Sequence, residues 1–274
     1  MSLRIGIGKN LRITPSSGIT YEPELITYIT GLVTPISNAQ LTLLDTFIKS
    51  LKSGHGITSL SHYYDVLQIY GGENDECSLK NLAKDDHHAT LVGVVPHVSL
   101  EGFTPDGVAT YINTNYNPFI DGSAISTNSI SFGTYQRSTV AVSTSKIHGG
   151  DEGANYLRLI PVRGLNASRV CVCNNITINS AFAGNLGLIS GVRLGANEAY
   201  NVNRITYSAL EATASAGLPN LNLYVGANNN NGVANSFIGT QVSLFYVAKG
   251  FTVADMTVLY NAFQAYMTAN GKQI

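Results

Sequence analysis

The sequence predicts an all-β-dominated protein, an antiparallel β-sandwich with helices in front of it and one closing helix behind it. From about residue 88 onwards, short runs of apolar and β-branched residues alternate with turn residues at intervals of roughly 10 to 18 residues. No helical period separates these runs, which favours an antiparallel sandwich over a parallel sheet with crossover helices. The predicted strands are residues 91–95, 108–112, 130–135, 138–143, 156–161, 168–173, 186–193, 203–209, 221–227 and 241–248.

Two helices are predicted at the ends of the sandwich from capping residues and apolar spacing. Ser37 and Gln40 have the spacing of a reciprocal capping box, and Gly54 is placed to end the helix that follows. Thr252 and Asp255 begin the closing helix in the same way. The apolar residues at helical spacing are Leu41, Leu44, Phe47, Ile48 and Leu51 in the first helix and Met256, Leu259, Tyr260, Phe263, Tyr266 and Met267 in the second.

The region around the first helix is predicted to contain an arm and one further helix. Residues 1–35 combine several prolines and glycines and have no helical period, so we expect an extended N-terminal arm. The arm would end where the folded domain, residues 36–274, begins. A short helix is predicted over residues 59–70, where a pair of glycines follows and would stop it.

The composition excludes several classes of partner. Hydrophobic residues make up 44% and charged residues 12% of the 274 residues, with a formal net charge of -1 at pH 7. Without a basic patch the chain has no attraction to phosphate or anionic lipid, so nucleic-acid and membrane partners are not expected. The first residues lack the apolar core of a signal peptide, and no apolar run reaches the ~20 residues of a membrane span, so we expect synthesis in a cytoplasm.

Three stretches carry a resemblance to a known family. They read YINTNYNPFIDG at residues 111–122, LPNLNLYVGAN at residues 218–228 and TVADMTVLYNAFQAYM at residues 252–267. Together with the predicted helix from Leu44 to Leu51, the Asp75-Glu76 pair and the Asn81-Leu82 step, they resemble a family of phage-encoded particle proteins. In that family, helices lead into a concanavalin A-like lectin/glucanase (LamG-type) jelly roll that a C-terminal helix seals. The resemblance covers residues 31–274 and implies a virion-associated structural or adhesion role.

A run of four asparagines is the candidate ligand-binding feature. Asn228, Asn229, Asn230 and Asn231 follow a predicted strand and precede a glycine. Carboxamides offer paired donors and acceptors that suit sugar hydroxyls, so these residues are candidate glycan contacts. A structural loop is the alternative, because asparagine also tolerates left-handed turn geometry. The chain has no Trp for sugar stacking, but it has 15 Tyr that could replace it.

Two acidic clusters are candidates for metal binding or catalysis. Asp151 and Glu152 lie between glycines that permit a tight turn, so they are candidate calcium ligands, with a plain hairpin connection as the alternative. Glu73 and Asp75 have the alternate spacing of a retaining glycosidase pair, but Cys77 stands where the glucanase pattern has a third acid. A solvated turn is therefore predicted at these two acids. Apart from calcium, no cofactor is expected. No enzymatic activity is expected either.

These observations predict a bacteriophage virion protein, such as a fibre, a decoration or a tail accessory, that displays a lectin-like jelly roll. Residues 1–35 would attach it to other virion proteins, and we expect a homo-oligomer, which in a fibre would be a trimer. If the jelly roll attaches the particle to its host, the expected ligand is a glycan on the host surface. Two alternatives stay open, namely a free carbohydrate-binding lectin and a glycan-cleaving enzyme.

Overall fold

The computed structural model describes residues 20–139, 146–161, 168–180, 182 and 186–274. Its helices are α1 (Pro23–Ile29), α2 (Asn38–His55), α3 (Asp75–Ser78), α4 (Pro118–Asp121) and α5 (Val253–Ala269), with a 3-10 turn at Leu60–His62. Its strands are β1 (Tyr64–Gln68), β2 (Thr90–Val92), β3 (His97–Val98), β4 (Gly102–Phe103), β5 (Tyr111–Asn113), β6 (Ile130–Gln136), β7 (His148–Glu152), β8 (Asn155–Ile160), β9 (Ser168–Val172), β10 (Ile178–Ser180), β11 (Gly187–Gly195), β12 (Glu198–Asn203), β13 (Thr206–Tyr207), β14 (Tyr224–Val225), β15 (Asn228–Asn230), β16 (Val233–Asn235) and β17 (Val242–Ala248).

The strands form two sheets. Sheet one has eight strands in the order β13-β12-β11-β6-β17-β4-β3, and β1 also pairs with β17. Sheet two has nine strands in the order β10-β9-β8-β7-β14-β5-β2, and the β15–β16 hairpin pairs with β7. Among the described strands, the β15–β7 pairing is parallel and the others are antiparallel. The predicted all-β-dominated sandwich with a closing helix is confirmed.

Two apolar clusters divide the molecule into three layers. One cluster lies between the sheets and contains Phe132 and Val247 of sheet one together with Leu157 and Val225 of sheet two. The other lies on the opposite face of sheet one, where α1, α2 and α5 pack. Each large apolar side chain that these clusters bury contributes about 1.5–3 kcal/mol. The outer face of sheet two is therefore on the far side of the sandwich from these three helices.

Helices α2 and α5 begin at the predicted capping residues. Thr252 and Asp255 form both bonds of a capping box at the start of α5. At the start of α2, the Ser37 hydroxyl accepts from the Gln40 N–H, but the Gln40 side chain donates to Asn270 near the end of α5. The reciprocal box predicted for α2 is therefore only half formed, because the second half is replaced by a contact between the two helices.

Aromatic side chains join the helical layer to sheet one. Phe263 of α5 is 1% exposed, and its ring meets those of Phe47 and Tyr135 edge to face, with centroid distances of 6.2 Å and 4.9 Å. Each such aromatic pair adds about 0.5–1.5 kcal/mol to the stability that burial provides. Helix α2 ends at Gly56, which has a left-handed φ of 64°, rather than at the predicted Gly54.

Two predicted segments of the first 70 residues are wrong. The stretch 59–70 is not a helix but contains the 3-10 turn and β1, whose residues are all buried. Because β1 is buried on both faces and includes the buried polar residues Asp65 and Gln68, its sequence lacks the period-2 alternation that would have distinguished a strand from a helix. An extended conformation is wrong for Pro23–Ile29, because α1 forms there and buries Leu25 and Tyr28 in the helical layer. Residues 1–19 of the predicted arm lie outside the described residues.

The strand predictions are accurate where β-branched and aromatic residues are frequent and fail where glycine or asparagine is frequent. The predicted strands at 130–135 and 241–248 match β6 and β17 closely. Strands β7 and β12 were not predicted, since their Gly and Asn residues have low β-propensity and pairing on both sides compensates for it. Most of the strand predicted at 138–143 lies outside the described residues.

Asp65 of β1 is a buried anchor for the segment that follows β5. Its carboxylate accepts hydrogen bonds from the Lys84 ammonium at 2.5 Å, the Tyr116 hydroxyl at 3.0 Å and the N–H groups of Ser123 and Ala124 at 3.1 Å. Burial acts to raise the pKa of Asp65, but the bonds from Lys84 and Ser123 outweigh burial and hold that pKa below its usual value. The charged carboxylate therefore stabilises the connection between the two sheets.

His148 of β7 connects sheet two to sheet one through polar contacts. Its Nδ1 accepts from the Gly226 N–H at 2.9 Å, and its Nε2 lies 3.2 Å from the side-chain nitrogen of Gln136 in β6. Because Nδ1 accepts, the neutral ring carries its proton on Nε2, and the Gln136 carboxamide accepts this proton when it presents its oxygen in place of its nitrogen. Burial lowers the pKa of His148 to about 3, so the ring is neutral at physiological pH.

Candidate functional site

The outer face of sheet two presents aromatic and carboxamide side chains. In β5, Ile112 is part of the core between the sheets, so its neighbours Tyr111 and Asn113 point outwards. In β14, Val225 belongs to the same core, so Tyr224 points outwards and lies directly opposite Asn113. Strand alternation therefore places two tyrosines and one asparagine on a single surface.

Tyr111, Tyr224 and Phe237 form what we call the aromatic platform. The rings of Tyr111 and Tyr224 lie 4.4 Å apart with an interplanar angle of 31°, and the Phe237 ring lies 6.3 Å from that of Tyr111. All three side chains are partly exposed. Burial, followed by the hydrogen bond with Tyr111, raises the pKa of Tyr224 to about 12, so its hydroxyl stays protonated. The platform thus combines apolar ring faces with neutral hydroxyl groups.

An ion pair borders the platform along the strand register. Tyr224 pairs with Gly149 of β7, which in turn pairs with Arg158 of β8, so the three residues lie in one row on the outer face. The Arg158 guanidinium donates to both carboxylate oxygens of Asp151, with Nε 2.5 Å from Oδ1. It also lies 4.0 Å from the centre of the Tyr156 ring. The Arg158 guanidinium is therefore a planar donor held in place beside the platform, and the Asp151 carboxylate neutralises its positive charge.

The four asparagines are divided between a strand and a turn. Asn228, Asn229 and Asn230 form β15, so the prediction of a loop is wrong for these three residues. Asn231 and Gly232 connect β15 to β16 with φ angles of 48° and 90°. Two successive left-handed residues form the two-residue turn that matches the twist of a hairpin, and Asn-Gly is its preferred sequence.

Burial separates these carboxamides into two pairs. Asn228 and Asn229 are 2% and 3% exposed, and their side chains donate to Asp151 Oδ2 at 2.5 Å and to a backbone carbonyl at 2.8 Å. Asn230 and Asn231 are exposed at the tip of the hairpin. Asn228 therefore joins the hairpin to β7, Asn229 joins it to the segment before β14, and Asn230 and Asn231 face solvent.

The predicted calcium candidates, Asp151 and Glu152, lie within β7 rather than in the turn after it. Both oxygens of Asp151 already accept from Arg158, and Oδ2 also accepts from Asn228. Glu152 Oε2 accepts from the Asn220 N–H at 2.6 Å. Neighbouring strand residues point to opposite faces, so these two carboxylates do not converge. Over the described ranges, no group of three or more His, Cys, Asp or Glu residues is arranged to hold a metal ion.

The acids considered as a glycosidase pair have separate partners. Glu73 Oε2 accepts from the Ser37 N–H at 2.5 Å, and Asp75 Oδ1 lies 2.8 Å from His97 Nδ1. The Asp75 side chain is 67% exposed, in agreement with the predicted solvated position, but Asp75 begins the short helix α3 under the capping side chain of Asn74. Each carboxylate therefore joins this short helix to a neighbouring segment.

Asp75, His97 and Ser78 form a charge-relay-like row that sequence analysis did not identify. Ser78 Oγ lies 3.2 Å from His97 Nε2. However, Ser78 is 0% exposed, its hydroxyl donates to the Asn74 carbonyl at 2.7 Å, and its oxygen accepts from the Gly72 N–H at 3.1 Å. A nucleophile must be reachable by substrate and must give its proton to the base. Ser78 does neither, so the row stabilises the loop.

The aromatic platform is the part of the site that sequence analysis missed. A signal for it existed in β5 and β14, where Tyr111 and Tyr224 alternate with core residues and are therefore expected on an outer face. That pattern did not reveal that the two strands pair directly. Nor could it bring Phe237, which follows β16, into contact with them.

Several solved structures share the fold of this chain. Trypanosoma rangeli sialidase in complex with 2,3-difluorosialic acid aligns with a TM-score of 0.52 at 11% identity, over 82% of this chain and 39% of the sialidase chain. A mutant of a protein designated HCR/D aligns with a TM-score of 0.50 at 10% identity, over 74% of this chain and 53% of that chain. This chain therefore spans well under two thirds of either protein. At such identities the likeness establishes the fold, a lectin-like β-sandwich.

Sequence comparison adds no family assignment. No protein-family model matches the chain, and no curated protein matches it. Within the described part of the chain, no helix has the length and apolar character needed to cross a membrane.

Proposed function

We propose that the protein is a non-enzymatic lectin-like module that binds glycans on the outer face of sheet two and is displayed on a bacteriophage particle. The observation that carries the binding proposal is the aromatic platform of Tyr111, Tyr224 and Phe237, with a fixed guanidinium in the same row and the Asn113 carboxamide opposite Tyr224. Ring faces stack on the apolar faces of sugars, while amide and hydroxyl groups exchange hydrogen bonds with sugar hydroxyls.

The non-enzymatic part of the proposal rests on the acidic side chains. Glu73, Asp75 and Asp151 all serve as acceptors in structural contacts. A retaining glycosidase instead needs two carboxyl groups about 5–5.5 Å apart on either side of the scissile bond. Unchanged oligosaccharides after prolonged incubation with the protein are the expected result, and any cleaved product would refute this part of the proposal.

Binding is tested by screening the purified protein on a glycan array and measuring the affinity of a bound glycan by calorimetry. We expect Tyr224→Ala to weaken binding by about tenfold or more, because it removes a ring from the centre of the contact. Tyr200→Ala is the matched control, since Tyr200 is also partly exposed and lies against a second tyrosine ring, but on sheet one. Equal affinities for the two variants would refute the assignment of the platform.

The virion role is supported by the resemblance of residues 31–274 to phage particle proteins. Mass spectrometry and gold-labelled antibodies on purified particles test it, and we expect a fixed stoichiometry at one particle location. Absence from particles would favour the free lectin instead. Light scattering of the purified protein tests homo-oligomerisation, with a trimer expected in a fibre.

Residues 1–19 are the proposed attachment segment to other virion proteins. We expect a chain lacking residues 1–19 to keep its glycan binding and to lose incorporation into particles. Normal incorporation of the shortened chain would contradict this role for the segment.

A further inference from the structure

We infer that the aromatic platform selects an electrically neutral saccharide and disfavours a carboxylated one. This inference rests on the proposed function, because it assigns a ligand class to the same surface. It is drawn from the pairing of the charged side chains around the platform.

The cationic group beside the platform is already compensated. Along the register from Tyr224 through Gly149, the basic side chain reached is Arg158, and its guanidinium donates to both oxygens of Asp151. The Asp151 side chain is 2% exposed, so releasing Arg158 to a ligand would leave a buried carboxylate without its cation. A ligand carboxylate therefore finds no free fork of donors for the bidentate contact that such groups form.

The register continues from Arg158 to Cys171 of β9, so the row that starts at Tyr224 contains no second cation. Asp106 lies in the turn that leads to Tyr111, where the N–H groups of Ala109, Thr110 and Val108 donate to it and hold its pKa well below the usual value. A carboxylated sugar would therefore give up its hydration at this row without gaining a cationic partner, and a neutral sugar has no such cost.

The groups that remain open to a ligand are uncharged. Asn230 and Asn231 are exposed, and carboxamides carry no charge at any pH. The Tyr224 hydroxyl also stays neutral, because its pKa is raised to about 12. The surface therefore offers donors, acceptors and ring faces, which are the groups that recognise neutral sugars.

The test uses matched pairs of oligosaccharides that differ only in the group at carbon 6, a hydroxymethyl or a carboxylate. Galactose and glucose oligomers and the corresponding galacturonate and glucuronate oligomers provide such pairs. Calorimetry of the full chain should give an affinity about tenfold higher for the neutral member of a pair.

One variant changes the charge balance. Asp151→Asn releases the Arg158 guanidinium, so we expect carboxylated oligomers to gain affinity while neutral oligomers keep theirs. Because Asp151 is buried and its replacement can impair folding, the paired affinities of the unchanged chain are the second measurement, and equal affinities within a pair overturn the inference without any variant.

The outcomes separate this inference from the proposed function. If a carboxylated oligomer binds as tightly as its neutral partner and Tyr224→Ala abolishes that binding, the preference for neutral sugars is overturned and the proposed function stands. If neither member binds, or if Tyr224→Ala changes nothing, both are overturned.

Discussion

Acidification should destabilise the fold through His148, and the size of the effect follows from its buried position. An unfolded histidine has a pKa near 6.5, and burial lowers that of His148 to about 3. Between these values the unfolded chain binds more protons than the folded chain. The stability that His148 contributes is therefore fully present above about pH 6.5 and is lost as pH falls towards 3. Between neutral pH and pH 5, the titration of this residue lowers the free energy of unfolding by about 2 kcal/mol.

The structural reason is that a second proton on the ring has no acceptor. Nδ1 already accepts from the Gly226 N–H, so protonating it would bring two donors together inside the sandwich. His148→Gln removes the titrating group and retains an oxygen that can accept this N–H. We therefore expect the variant to lose about 2 kcal/mol less than the wild type between pH 8 and pH 5.

Urea unfolding followed by circular dichroism at several pH values measures this difference. The matched control is His62→Gln, since His62 is exposed and its replacement should leave the pH dependence unchanged. Burial also lowers the pKa of His55, so some acid sensitivity should persist in every variant. The reasoning is wrong if His148→Gln and the wild type lose the same free energy of unfolding on acidification.

Three further predictions concern stability and are measured by urea denaturation. Asp65→Asn should lower the free energy of unfolding by about 3 kcal/mol because it breaks a buried ion pair, whereas Asp85→Asn, whose side chain is 68% exposed, should change it by less than about 0.5 kcal/mol. Phe263→Ala should lower the free energy of unfolding by about 3–5 kcal/mol because it leaves a cavity in the helical layer. The control Val253→Ala replaces a residue that is 55% exposed on the same helix and should lower it far less. Similar losses for the two variants would contradict this packing. Gly232→Val should cost about 1–2 kcal/mol because its φ of 90° strains a β-branched residue, and an unchanged unfolding midpoint would refute the turn assignment.

The sequence alone determined the features that depend on neighbouring residues. The capping box of Thr252 and Asp255 and the apolar spacing after it define α5, because helix ends and helix faces are set within a few residues of the chain. The β-branched and aromatic residues of β6 and β17 likewise identified the central strands of sheet one. The antiparallel sandwich followed from the spacing of such runs, which leaves no length of chain for crossover helices.

Only the tertiary structure decided the conformations that depend on distant partners. Tyr64–Gln68 is a strand because β17 pairs with it, and Pro23–Ile29 is helical because the helical layer buries its apolar side chains. Local spacing could not choose between helix and strand for a fully buried run. For Asn228 and Asn229, contacts with β7 and its neighbours replace the predicted loop with a strand.

In the candidate site too, some features could be identified from the sequence and others were decided only by the tertiary structure. Sequence analysis found the asparagine run and Asp151, because these residues lie together in short segments. It did not find the platform, since Tyr111, Tyr224 and Phe237 come from three separate parts of the chain and meet only when β5 and β14 pair. The charge of Arg158 is likewise cancelled only by pairing across the β7–β8 hairpin. Residue types were thus fixed by the sequence, while burial, exposure and charge compensation were set by strand pairing between remote segments.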